Sequence, residues 1–402
     1  REQDEIDFFR KRDPLENFLA LEKYREINEE IDKNIRKHID NSGQEKLSFS
    51  DYCHDQLPRS YEIKEIAVNN RKERLINSLN KAYMETLKDG SIFVGEDIKD
   101  PYGGAFKVTK GFSSRFPDQV INAPISESAI TGFGIGISLM GNRPFIEIMF
   151  GDFTTHIFDQ LVSNASKFYH MYAFQCSAPV RVRTPMGGKR GYGPTHSQSL
   201  EKFFVGIDNL LVVSLSSLSD PDDTIKEIQK LDCPAIIIEN KIDYGKYLFQ
   251  DNDFLRLSKV DEPFGLIHAI PRNRKPDIAI VSYGGTAREI VDSYMRIFIE
   301  TELSVEVFCV TALHPLNMNP ILKSVRHNGI RGLLVIEDHS SDFGFGSEVI
   351  SSVMEAGLNI PCRKIGAEPF PVPSVKELED QILPTQDFII SSIIKFKNNI
   401  YD

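Results

Sequence analysis

The chain has 402 residues, 41% hydrophobic and 26% charged, an ordinary globular composition with room for two or three domains. Its net charge of −11 disfavours a nucleic-acid partner, because phosphate binding needs a basic surface. No run of about 18 apolar residues occurs, so no helix is expected to cross a membrane.

Residues 1–58 open the chain. Leu15, Phe18, Leu19, Leu21, Tyr24, Ile27, Ile31, Ile35 and Ile39 recur at roughly helical spacing among charges and predict an amphipathic helix. It has too little apolar surface for its own core. Residues 40–58 read as an extended linker. The first residue is Arg1 and no signal peptide is visible, so the start is expected to have been removed or to belong to a longer chain.

A helix is predicted over about Lys64–Leu87. Short apolar strands then alternate with helices. The strands are Ser91–Val94, Pro144–Met149, Val180–Arg183, Leu210–Ser214 and Ala235–Glu239. The helices lie near Glu127–Met140, Thr154–Tyr172, Gln198–Val205 and Asp222–Leu231. Pro263, Pro271 and Pro276 mark a crossover at 255–276. A second alternating unit follows, with strands Asp277–Ser282, Ser304–Val310, Gly332–Ile336 and Pro361–Ile365. The pattern predicts an α/β fold: two domains, each a mostly parallel sheet with helices on both faces, and an N-terminal helical extension. The expected boundaries are 1–58, 59–260 and 270–402.

Cys53, Cys176, Cys233, Cys309 and Cys362 are widely spaced, which suits small buried hydrophobes in a reducing compartment such as the cytoplasm. No spacing of His, Cys or acidic residues suggests a metal site. Gly132 and Gly136 suit close helix packing better than a dinucleotide loop.

His196 follows a glycine-rich strand exit, Gly187-Gly188-Lys189-Arg190-Gly191-Tyr192-Gly193-Pro194. Ser197 could cap a helix starting after it. A histidine at such a corner can exchange protons near neutral pH. Glu96 and Glu127 also stand where strands exit, and Phe153 lies close to the same edge. Open α/β sheets bind ligands outside the carboxyl ends of their strands. Glu127 alone would read as a helix N-terminal acid, but three ionisable groups and an aromatic on one rim exceed that reading.

In order along residues 62–400, Gly95-Glu96-Asp97, Asp100-Pro101-Tyr102-Gly103-Gly104, Pro124-Ile125-Ser126-Glu127, Phe158-Asp159-Gln160, His196-Ser197-Gln198-Ser199 and Gly344-Phe345-Gly346-Ser347-Glu348 carry a resemblance. The chain resembles the beta subunit of the thiamine-diphosphate-dependent decarboxylating component of 2-oxo acid dehydrogenase complexes. Residues 1–58, with Phe9-Arg10-Lys11-Arg12-Asp13-Pro14-Leu15, are similar to an alpha-subunit carboxyl tail, so a fused alpha–beta polypeptide is expected.

The resemblance implies a pyrimidine-binding domain and a transketolase C-terminal-like domain. It implies that Glu127 hydrogen-bonds the cofactor's aminopyrimidine ring nitrogen and that Phe153 packs on that ring. Glu96 would line the pocket through water, and Tyr102 would stand in the adjoining loop. His196 would guide protons and assist acyl transfer to a lipoyl group. The Gly-Asp-Gly diphosphate motif is missing, so diphosphate and Mg2+ are expected on the alpha part. The implied partners are that alpha part, a second beta subunit in an alpha2beta2 heterotetramer, a lipoyl acyltransferase core and a 2-oxo acid.

Two segments depart from the family pattern: Leu215-Ser216-Ser217-Leu218-Ser219-Asp220-Pro221 and Thr311-Ala312-Leu313-His314-Pro315-Leu316. These leave a non-oxidative decarboxylase or carboligase as the alternative. A degenerate partner subunit is a third reading, opposed by retention of Glu96, Glu127, Phe153 and His196.

Overall fold

The structure, a computed structural model, describes residues 3–13, 21–42, 56–58, 62–68, 70–264 and 266–401. The chain divides into two units, Arg1–His54 and Asp55–Asp402. The first contains helices Gln3–Arg10 and Glu22–Ser42. Ile27, Ile31, Ile35 and Ile39 form the expected stripe on the longer helix, and all four are exposed. The predicted helical positions Leu15, Phe18 and Leu19, and most of the predicted linker, lie outside the described residues.

The second unit is built on two sheets, each of seven strands among the described residues. Its strands are β1 (Glu62–Ala67), β2 (Phe93–Gly95), β3 (Val120–Asn122), β4 (Phe145–Glu147), β5 (Arg181–Met186), β6 (Leu211–Ser214) and β7 (Ala235–Asn240). They continue with β8 (Leu255–Glu262), β9 (Leu266–Pro271), β10 (Ile278–Ser282), β11 (Val305–Cys309), β12 (Ala312–His314), β13 (Leu333–Ile336) and β14 (Cys362–Ile365).

The first sheet runs β12-β6-β7-β5-β4-β2-β3, and every pairing is parallel except β12 on β6. The second runs β1-β8-β9-β11-β10-β13-β14. Its β11, β10, β13 and β14 are parallel, whereas β1, β8 and β9 form an antiparallel flank. β6, β10 and β13 are buried along their whole length, as near-continuous apolar runs in a two-faced sheet should be, and β11 is buried too although it carries Glu306. One apolar cluster joins Val182 and Ile236 of the first sheet to Val281 and Val335 of the second.

Several sequence expectations change. Glu62–Ala67 is a strand, and the helix predicted from Lys64 begins only at Leu75. The predicted crossover at 255–276 is a hairpin, β8 and β9. Pro263 falls between those strands and Pro271 at the end of β9, so prolines that look like breakers only bound strands.

The helix predicted over Thr154–Tyr172 is broken into a 3-10 segment, Gly151–Ile157, a π segment, Gln160–Ala165, and one α turn, Phe168–Met171. The helix predicted over Gln198–Val205 shrinks to the turn Glu201–Phe203. Ser197 caps nothing: its buried hydroxyl has no hydrogen-bond partner. In the Glu127–Leu139 helix the close contact is at Gly134, where a Cβ would lie 2.4 Å from Ile146 Cδ1, while one at Gly136 would meet open space.

Candidate active site

The parallel order of the first sheet brings the carboxyl ends of β7, β5, β4, β2 and β3 side by side. β2 ends at Gly95, which has no room for a side chain: a Cβ would lie 2.9 Å from that of Glu147 on the neighbouring strand. The next residue, Glu96, is buried, with 8% of its surface exposed. Its Oε1 has no hydrogen-bond partner. Burial pushes the Glu96 carboxyl above its ordinary range and the charge of Glu127 adds to this, against a hydrogen bond from the Ser126 backbone. Glu127 follows β3 as the first residue of its helix and is half-buried. The two acids therefore share one electrostatic environment.

β4 leads into Phe150 and Phe153, whose ring centroids lie 5.8 Å apart. The long loop after β5 returns His196 to both. Its imidazole meets Phe150 edge-on at 4.7 Å and Phe153 at 5.3 Å. The Thr195 hydroxyl lies 2.9 Å from His196 Nδ1. Asp152 fixes the far side of that loop by accepting from the Gln198 side chain at 2.8 Å and its backbone N–H at 3.3 Å. The other Asp152 oxygen, Oδ2, is buried without a partner.

The predicted residues do not all converge. Phe153 and His196 touch, and Glu96 and Glu127 are coupled. Tyr102 is 49% exposed, and its ring lies under the Lys107 ammonium at 3.6 Å instead of against the Phe150–His196 cluster. The Asp100 carboxyl two residues before it fastens this loop. The Gly111 N–H and then the Ser114 and Ser113 groups hold it down at about 2.

Sequence reasoning missed Phe150, Asp152 and Lys241. All three lie just past strand ends, so the rule that selected Phe153 could have found them. Lys241 is fully buried and donates to the His196 carbonyl, with its ammonium 5.2 Å from the Phe150 ring centre. Burial pulls its pKa down to about 8, although Asp152 and Asp338 oppose the shift. Also missed was a core network in which Arg183 bridges Glu147 and Glu239. Arg183 and Glu239 sit inside strands and Glu147 closes one, where charges look like strand ends.

Two family descriptions match the chain: transketolase, pyrimidine binding domain, over residues 75–246, and transketolase, C-terminal domain, over residues 268–389. A rice protein named pyruvate dehydrogenase E1 component subunit beta-2, mitochondrial, is 30% identical over 322 residues, covering 78% of this chain and 83% of its own. The Saccharomyces cerevisiae mitochondrial subunit beta is 28% identical, covering 79% and 86%. The Rickettsia conorii protein named pyruvate dehydrogenase E1 component subunit beta is 28% identical, covering 77% and 94%. The chain belongs to the pyruvate dehydrogenase E1 beta-subunit family.

A solved structure titled split gene transketolase, inactive beta4 tetramer, shares the fold, with a TM-score of 0.62 at 18% identity over 82% of this chain and 98% of its own. Within this E1 beta-family chain, the two departing segments have structural work. Thr311 O accepts from Ser214 N at 2.8 Å beside the β12–β6 pairing, and His314 Nδ1 lies 2.8 Å from Leu210 O. Ser217 N–H donates to buried Asp243 at 3.0 Å, and Arg288 donates to Ser217 Oγ at 2.9 Å. Among the described residues no group of three or more His, Cys, Asp or Glu is placed to hold a metal, and no helix is long and apolar enough to cross a membrane.

Proposed function

We propose that this chain forms the pyrimidine side of a thiamine-diphosphate site. The complete enzyme decarboxylates a 2-oxo acid and passes the acyl group to a lipoyl group of an acyltransferase. The observation that carries this reading is Glu96: a buried carboxylate oxygen without a partner, beside Glu127, on the rim where Phe153 and His196 meet. Such an oxygen is costly unless a ligand or water donates to it. The two carboxyls fit an aminopyrimidine, whose amine can donate to a carboxylate oxygen and whose ring nitrogen can accept from a protonated carboxyl.

Glu127 would hold the ring nitrogen and control its proton, Phe153 would meet the ring face, and Glu96 would accept from an adjoining donor or a water. Tyr102 would stand farther out, on the loop at the mouth. When bound, thiamine diphosphate supplies the electron sink that decarboxylation needs. His196, wedged between two phenyl rings, would move the proton that accompanies acyl transfer. Phe150 keeps water from its inner face.

The relatives are named as subunits of an E1 component, which supports a partner. We assign diphosphate and Mg2+ binding to an alpha part, the assembly to an alpha2beta2 heterotetramer, and the acceptor to a lipoyl acyltransferase core. Residues 1–58 are assigned as the tail of an alpha part in the same polypeptide; a native product of only these 402 residues from its own start codon would overturn that. The yeast and rice relatives are named mitochondrial. Cys176, Cys309 and Cys362 are free thiols, which suits any reducing compartment, the cytoplasm included.

The test is Glu127→Gln in the complete alpha–beta enzyme, assayed with pyruvate, branched-chain 2-oxo acids and 2-oxoglutarate, using lipoyl and aldehyde acceptors. Decarboxylation should fall on the order of 100-fold or more with thiamine diphosphate still bound. Near-normal turnover overturns the assignment. Transfer to aldehydes in place of lipoyl groups would establish the carboligase reading.

A further inference from the structure

His196 sits on a loop that is held from the carboxyl-terminal part of the chain. The loop has φ values of +92° at Gly187, +69° at Lys189, +69° at Gly191 and +76° at Gly193. Three glycines accept this region freely, but Lys189 needs outside support. That support is one carboxylate. Glu379, on the short helix Lys376–Ile382, is fully buried. Its Oε1 accepts the Lys189 N–H at 2.8 Å and its Oε2 accepts the Gly191 N–H at 3.1 Å. Backbone N–H groups converging on one anion make a recognised anion-binding concavity, filled here by the protein's own side chain.

The surroundings leave no slack. A Cβ at Gly188 would lie 2.4 Å from Leu383 Cδ1, and one at Gly193 would lie 2.5 Å from Ser374 Oγ. The Lys189 ammonium adds a second tie, to Glu289 and to the Pro384 carbonyl, the latter at 2.8 Å. Gly191 stands five positions before His196. At the inner end Lys241 donates to the His196 carbonyl, and Gly187 N–H donates to Gln198 O at 3.2 Å, closing the loop's base.

We infer that Glu379 is a positioning residue for His196: its carboxylate, supplied by the carboxyl-terminal region, sets the loop that presents the histidine to the acyl acceptor. Glu379 touches neither the His196 ring nor the two phenyl rings; it acts through the backbone at Lys189 and Gly191. The functional part of this inference rests on the decarboxylase reading, whereas the structural tie does not.

The test uses Glu379→Gln in the complete enzyme. The amide keeps one acceptor and turns an NH2 toward the other N–H, so one of the two bonds is lost. Hydrogen exchange of the peptide spanning 187–193 should speed up at least about tenfold, with β6 unchanged. The kcat for acyl transfer to lipoamide should fall about tenfold, while decarboxylation with an artificial acceptor, the KM for the 2-oxo acid and thiamine diphosphate affinity stay within about twofold. Glu379→Asp, which keeps both acceptor oxygens, should recover part of that kcat.

A general packing role would lower both activities alike and speed exchange everywhere, and this overturns the inference. So does an unchanged lipoamide kcat in an active enzyme. If Glu379→Gln does not assemble, Lys189→Met removes the second tie alone and should show the same selective loss at smaller size; no loss there overturns the inference. A wild-type enzyme that decarboxylates none of the 2-oxo acids sinks the functional reading instead, and the exchange result then judges the tie by itself.

Discussion

The same strands carry two clusters of buried acids, and they are finished differently. In the sheet interior, Arg183 donates to Glu239 at 2.9 and 2.6 Å and also to Glu147. Tyr83 and Tyr244 complete Glu239 at 2.7 and 2.6 Å. Burial alone would raise the Glu239 carboxyl, but Arg183 and these hydroxyls hold it below its ordinary range. Burial pushes Glu147 up in spite of Arg183. At the strand ends, Glu96 and Asp152 are also buried, yet each keeps an oxygen without a partner. A satisfied cluster fixes three strands to one another, whereas an unsatisfied one is stable only when something else supplies the missing donor.

The largest way to break this contrast is Arg183→Met. Removing the cation strands two buried carboxylates and should cost about 3–5 kcal/mol of stability, read by urea unfolding. Turnover of the surviving folded enzyme should change little. A variant that keeps its stability but loses turnover would put Arg183 in the site and end the distinction.

The strand-end cluster should respond in the opposite sense. His196→Ala removes a half-buried ring, so the loss of stability should be small. Transfer of the acyl group to lipoamide should fall by about 100-fold, more than decarboxylation with an artificial acceptor. Equal losses with both acceptors would count against a proton-moving role. Glu96→Gln should leave the melting temperature unchanged or slightly raised, because it removes a carboxylate that burial disfavours, and should slow turnover by roughly tenfold. A large fall in melting temperature would mean that Glu96 belongs with Arg183's cluster after all.

The contrast also explains what the amino-acid pattern could show. Parallel interior strands such as Ile278–Ser282 and Leu333–Ile336 stand out as apolar runs, and the strand-end rule alone places Glu96, Glu127, Phe153 and His196 on one rim. Flanking strands are harder. Glu-Ile-Lys-Glu-Ile-Ala at 62–67 has both charges and β-branched residues, and only its pairing with β8 makes it a strand. Arg183 reaches Glu147 and Glu239 from 36 and 56 positions away, Tyr83 reaches Glu239 across 156, and the Glu379 tie joins residues up to 190 apart. Hydrogen bonds of that range leave no local period to read. The broken helix at 151–171 was hidden for a related reason, since its apolar residues keep a helical spacing while the backbone changes hydrogen-bond pattern.

Glu201 lies between the two extremes and offers the finest test. It is buried at the junction of the two sheets, where the Tyr283 hydroxyl donates to it but, among the described residues, no arginine does. Burial pushes its carboxyl up to about 7, against the tyrosine's hydrogen bond. The folded state therefore keeps this proton to higher pH than the unfolded state does. Between the ordinary carboxyl value of 4.5 and about 7 the folded protein binds more protons, so stability falls as pH rises through that window. Above it the penalty is complete. Glu201→Gln keeps an acceptor for Tyr283 and carries no charge. Melting temperatures should match wild type at pH 4.5 and exceed it at pH 8, by an amount equivalent to about 1–3 kcal/mol. An equal gain at both pH values would trace the effect to packing, and a loss at pH 8 would mean that Glu201, like Glu239, is stabilised as a carboxylate by a cation that its surroundings do not otherwise reveal.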